Sequence, residues 1–219
     1  PAVAAAPPGS PLPQPLARRA ADLRRVGRPI VVTLDPEPDH YRTGGTGHPH
    51  DYRRAHQRFV RIRRNRGADN VQVGFVGVAW NFDPRSTTDV GDYYPGDAWV
   101  DIIGVDGYNW GSCTNPSGEW RTFDQVFAPF LSWAATHPGK PLMIAEFGVA
   151  EDHANPGWRK AGWLSEVSSA LADPKWNRLD YAVAWDNLWE VDNNCDFRVS
   201  QSSTVRTAFR DLMQNPIFG

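Results

Sequence analysis

The chain has 219 residues, 23 basic and 25 acidic side chains, and a formal net charge of −2. That near balance excludes the broad positive field that nucleic acid or an anionic membrane surface requires, so neither is expected as a partner. No apolar run approaches the roughly 20 residues of a membrane-spanning helix, and no charged n-region followed by an apolar h-region opens the sequence.

Residues 1–14, PAVAAAPPGSPLPQ, are rich in Pro and Ala, carry no charge, and read as a tail or linker. Residues 15–27 place Leu16, Ala20 and Leu23 at helical spacing before Gly27. RPIVVTLDPE follows, a short β-branched run with a polar end, which reads as a buried strand. The same unit recurs. A helix over 50–66, with Ala55, Phe59 and Ile62 on one face, leads to strand VQVGFVGVAW (71–80). A loop containing YYPGD leads to strand WVDIIGVDGY (99–108), and a long loop precedes a helix at about 123–136. Strand PLMIAEFG (141–148), a helix at about 157–172, strand LDYAVAWDN (179–187) and a last helix near 202–214 complete the series.

Five strands therefore alternate with helices, and each is a nearly continuous apolar run. That pattern indicates parallel strands covered on both faces of an α/β fold. An open doubly wound sheet and a (β/α)8 barrel both fit. No GxGxxG or Walker A motif follows any strand, which disfavours a nucleotide site. Either architecture puts its chemistry at the C-terminal ends of the strands.

Those ends are rich in polar and aromatic groups. The first strand delivers Asp35, Glu37, Asp39, His40 and Tyr41, and the second Trp80 and Asn81. The third delivers Asp106, Tyr108 and Asn109, followed by Trp110; the fourth delivers Glu146, and the fifth Trp185, Asp186 and Asn187. Glu146 interrupts the apolar run LMIAEFG. A carboxylate there must be hydrogen-bonded or functional, because burying it unpaired is costly. Glu37 holds the matching place on the first strand, between Pro36 and Pro38, with Asp35 as its nearest rival. Two strand-end carboxylates with aromatics between them suit glycoside hydrolysis, in which one attacks or activates water and the other protonates the leaving oxygen. The ten Trp either fill a core or offer flat faces to pyranose rings; those beside loops and strand ends favour sugar contact.

His40, His48, His50 and His56 lie near Asp39 and Asp51, but in no tight ligand spacing, so no metal and no cofactor is expected. No GxSxG elbow is present. Cys113 and Cys195 are either two buried thiols or one disulfide between long loops; their polar, Asn-rich surroundings favour the bridge.

YYPGDAWVDIIGVDGYN followed by KPLMIAEFG resembles the second half of glycoside hydrolase family 26, the β-mannanase family of retaining (β/α)8 glycosidases. The resemblance covers roughly residues 15–214 and implies a catalytic domain over 15–219. It implies Glu37 as acid/base at the end of barrel strand 4 and Glu146 as nucleophile at the end of strand 7. It implies Tyr108 as the tyrosine that hydrogen-bonds the nucleophile. Trp185 corresponds to the platform beneath the sugar, and Tyr41 to an aromatic after the acid/base. Trp80, Asn81, Trp110, Asp186 and His40 join them as candidate substrate contacts. Two positions depart from the family pattern. Pro36 stands where a histidine usually precedes the acid/base, and Asp186 where an arginine often follows the platform tryptophan.

If Glu37 ends strand 4, strands 1 to 3 are missing, because a full barrel takes about 250 residues. The expected fold is thus an incomplete barrel of about five parallel βα units, whose absent strands a second chain could supply. The expected activity is retaining hydrolysis of a β-linked polysaccharide, foremost mannan endo-1,4-β-mannosidase. A β-1,3/1,4-glucanase or xylanase on the same scaffold, or a non-catalytic sugar-binding fragment, are the alternatives. Secretion is expected from the resemblance, the tail and the possible disulfide.

Overall fold

The computed structural model describes residues 14–40, 48–113, 117–152, 155–189 and 195–216. Five helices and seven strands are assigned among them. The helices are α1 (Gln14–Arg25), α2 (Pro49–Asn65), α3 (Phe123–Ala134), α4 (Trp158–Leu171) and α5 (Ser203–Met213). Strands β1 (Ile30–Thr33), β2 (Val71–Val78), β3 (Ile102–Asn109), β4 (Leu142–Val149) and β5 (Leu179–Ala184) form one parallel sheet in sequence order. Each expected strand and helix is present, with its ends moved by a few residues.

Local chemistry explains the helix starts. Pro49 opens α2, where a missing N–H costs nothing. Thr122 and Gln125 form a reciprocal capping box on α3, and the Ser202 hydroxyl accepts from the Val205 amide to start α5.

The sheet has two unlike faces. On one, Phe75, Ile103, Val105, Ile144 and Phe147 pack against Phe127 and Phe130 of α3 and Trp163 and Val167 of α4 in the main core. Burying each such aromatic contributes roughly 1.5–3 kcal/mol. On the other, Val76, Ile102 and Met143 form a smaller cluster with Val31 and Ala145. Gly104 permits that close approach, since a Cβ there would lie 2.8 Å from Val76 and 2.9 Å from Met143.

The expectation of strands buried on both faces holds for β2, β3 and most of β4. It fails at β5. Met143 pairs in register with Tyr181, so Tyr181 and Val183 share the face of the smaller cluster. They are 41% and 52% exposed there, and β1 is only half-buried along its length. No further strand of the described residues covers that face or extends either edge.

Beyond β5 the chain makes a short antiparallel ribbon, β6 (Leu188–Trp189) with β7 (Cys195–Asp196). A disulfide joins Cys113, in the loop after β3, to Cys195, 82 residues on, with a Cα separation of 5.4 Å.

Candidate active site

The C-terminal ends of β1 to β5 bring most of the expected residues together. On β4 a register shift between the Val105–Ile144 and Asp106–Glu146 pairs leaves Ala145 without an opposite residue. Such a bulge re-aims the next side chain, and here it sets Glu146 beside Asp106. The Tyr108 hydroxyl, from β3, donates to Glu146 Oε2. Burial pushes the Glu146 carboxyl above its usual range, the Tyr108 hydrogen bond opposes that rise, and the Glu37 charge adds to it.

Glu37 follows β1 in the turn LDPEPD. It has φ 55° and Asp35 has φ 51°, a left-handed region that non-glycine residues seldom adopt and that is found at functional sites. The Glu37 amide donates to the Val76 carbonyl at 3.0 Å, which fastens this turn to β2. Glu37 Oε2 lies 3.1 Å from His40 Nδ1, and the His40 ring stands edge-on to Trp80 at 5.5 Å. Position 36 lacks the histidine that the family resemblance implies, yet a histidine reaches Glu37 from three residues downstream. Trp80 is 44% exposed in the short helical turn after β2.

Asn81 sits on the same turn but is buried. Its Nδ2 donates to the Asp39 side chain at 3.0 Å and its Oδ1 accepts from Ser86 at 2.7 Å. Asp39 is itself buried and accepts from the Val78 amide at 3.1 Å. The structure therefore places Asn81 behind the Glu37 turn, with its amide committed to holding Asp39.

On the other side of Glu146, Tyr108 and Trp110 have ring centroids 5.5 Å apart. Trp185 stands edge-on to Tyr108 at 6.5 Å, and its amide donates to the Phe147 carbonyl at 2.8 Å. These three rings pack against the Cys113–Cys195 disulfide, Ala150 and Phe197. Asp186 is exposed, and its Oδ1 accepts from the Val199 amide at 2.9 Å. Tyr41 lies outside the described residues. An open cleft of about 590 Å³ runs beside Trp80, Tyr108 and Trp110 towards Glu119 and Arg121. Neither Glu37 nor Glu146 lines it; Tyr108 links the cleft to the carboxylates.

Sequence reading placed Asp106 at a strand end without giving it a role. It is 2% exposed and its Oδ1 has no hydrogen-bond partner. Burial first, then the charges of Glu146, Glu37 and Asp39, push its pKa up to about 9. At neutral pH it is therefore protonated and adds no charge to the site. Like charges held close cannot all ionise. The signal in the sequence was an acidic residue inside the apolar run IIGVDGY.

Residues 44–149 match the family model of glycosyl hydrolase family 26. The chain is 34% identical over 163 residues to a protein named Endoglucanase H from Acetivibrio thermocellus, covering 74% of this chain and 17% of that protein. It is 30% identical over 137 residues to a mannan endo-1,4-beta-mannosidase from Bifidobacterium adolescentis, covering 59% of this chain and 14% of that protein. Among solved structures, a modular endo-beta-1,4-mannanase from Cellulomonas fimi superposes with a TM-score of 0.65 at 24% identity. That match covers 98% of this chain and 49% of the other. The chain thus spans less than a fifth of the curated relatives and about half of the solved structure. With five parallel strands in sequence order, its fold is an incomplete β/α barrel.

Proposed function

Because the chain belongs to glycosyl hydrolase family 26, we propose that it carries the catalytic wall of a retaining glycoside hydrolase acting on a β-1,4-linked polysaccharide, foremost a mannan. The observation that carries this reading is the Tyr108 hydroxyl on Glu146, with Glu37 in the turn that follows β1 of the same sheet. In the first step a Glu146 oxygen attacks the anomeric carbon as the glycosidic bond breaks, and Glu37 gives its proton to the leaving oxygen. In the second, Glu37 takes a proton from water, the water oxygen bonds to the anomeric carbon, and Glu146 departs. Retention calls for the two carboxyl groups to lie about 5–5.5 Å apart. Tyr108 keeps Glu146 oriented and opposes the effect of burial on its charge. Trp185 serves as the platform, with Trp80, Trp110, His40, Asp186 and Tyr41 as further substrate contacts.

The 34% identity to a protein named Endoglucanase H supports β-glucan as the second substrate. The exposed face around Tyr181 and Val183 and the open edges of β1 and β5 suit further βα polypeptide, which would build the opposite wall of the cleft. The Cys113–Cys195 disulfide supports an extracellular setting.

Reducing-sugar release from mannan, glucomannan, lichenan and xylan tests the reading. Release from mannan, lost in Glu146→Ala, supports it; release from lichenan alone moves the assignment to β-glucan. Mannan binding by the folded chain with no release from any glycan would make it a sugar-binding module.

A further inference from the structure

Lys160 of α4 is wholly buried, yet it lies outside the reaction described above. An ammonium is seldom taken out of water unless its hydrogen bonds are met. Its Nζ donates to the Asp196 carbonyl at 2.8 Å and to the Arg198 carbonyl at 2.9 Å. Asp196, Glu151 and Asp186 favour its charge and Arg198 opposes it; burial outweighs them and pushes the pKa down to about 8, so the charge is mostly retained at neutral pH.

Carbonyls two residues apart that point the same way mark extended backbone. The residue between them, Phe197, turns its own amide the other way, donating to the Asn187 carbonyl at 3.0 Å. Its ring is 1% exposed and stands edge-on to Tyr108 at 5.4 Å and to Trp110 at 5.0 Å. Gly148, which pairs with Tyr108 in register, makes room for this contact. A Cβ there would lie 3.1 Å from both the Phe197 and the Tyr108 ring. The segment is pinned at its other end by the disulfide from Cys195 to Cys113, whose amide donates to the Trp110 carbonyl at 3.1 Å.

We propose that Cys195–Arg198 is a strut that fixes Tyr108 against Glu146, with Phe197 and Lys160 as positioning residues, the first against the tyrosine ring and the second beneath the strut. This rests on reading Tyr108 and Glu146 as part of the active site. A displaced Phe197 frees the Tyr108 ring on its inner side. The hydrogen bond that holds the Glu146 carboxyl down then weakens.

The test follows the Glu146 carboxyl by carbon NMR through a pH titration, its signal assigned by its absence in Glu146→Gln. Lys160→Met and Phe197→Leu should each raise the Glu146 midpoint by about half a unit to one unit, as should Tyr108→Phe. Lys175→Ala, which breaks a surface pair with Asp124, should leave it unmoved. Mild reduction of the unsubstituted protein should raise the midpoint in the same direction. Folded variants with an unchanged midpoint overturn the strut, as does an unchanged midpoint in Tyr108→Phe. If both variants and the reduced chain unfold, the segment is a structural staple and the positioning role falls. Sugar release is a separate readout: a shifted midpoint without hydrolysis refutes the glycosidase reading and leaves the strut standing.

Discussion

Tyr108 of β3 reaches back along the neighbouring strand. It pairs in register with Gly148, but its hydroxyl donates to Glu146, two residues earlier on β4. That hydrogen bond opposes the rise that burial imposes on Glu146. Tyr108→Phe should therefore lower turnover of a β-1,4-glycan by about 10²-fold, a size typical for loss of one aligned donor. The lower pH limit of the rate should move upward. A pH–rate profile of the variant reads both; an unchanged limit would detach Tyr108 from the ionisation of Glu146.

Asp106 gives a stability prediction with a definite sign. Its folded pKa, about 9, lies above the ordinary aspartate value of 3.8. The folded state therefore holds a proton that the unfolded state releases across that interval. The stability from this group is complete below about pH 4 and is lost progressively as pH rises to about 9. Asp106→Asn removes the titration while keeping the shape. Urea unfolding at several pH values should show a flatter profile between pH 4 and 9 for the variant than for the unsubstituted protein.

Gly107 tests the packing behind the site. A Cβ at this position would run into the Phe127 ring of the main core. Gly107→Ala should cost about 1–3 kcal/mol through forced displacement of that ring, read as a drop in the unfolding midpoint in urea.

The exposed strand offers a contrast. Tyr181 lies on the uncovered face of β5, so Tyr181→Ser in this chain should change stability by no more than about 0.5 kcal/mol. Phe127→Ala, on the covered face, should cost about 3–5 kcal/mol. A large loss at Tyr181 would mean that something covers the face in solution, and size-exclusion chromatography would then show whether it is a second copy.

Much of this arrangement was legible in the sequence because strand and helix periods are local. The runs at 71–80, 99–108 and 141–148 became β2, β3 and β4, and the polar groups closing them came together at one end of the sheet. The exposure of β5 departs from what LDYAVA suggests, because the run has the composition of a covered strand whereas covering depends on chain that packs against it. Asn81 could not be assigned a side from sequence, since the turn Ala79–Phe82 rather than strand alternation decides where it points. The roles of Phe197 and Lys160 were out of reach for a similar reason. They depend on contacts across the disulfide and α4, far apart in sequence. The Ala145 bulge that aims Glu146 at Asp106 likewise leaves no local mark.

The most direct test of the central claim is mannan hydrolysis by the unsubstituted chain and by Glu146→Ala, each with and without azide. The predicted result is release by the unsubstituted chain and a loss of about 10³-fold or more in Glu146→Ala. Azide should restore part of the rate, giving a glycosyl azide of inverted configuration. Full activity in Glu146→Ala would contradict the assignment of Glu146 as nucleophile, and with it the reading of this site.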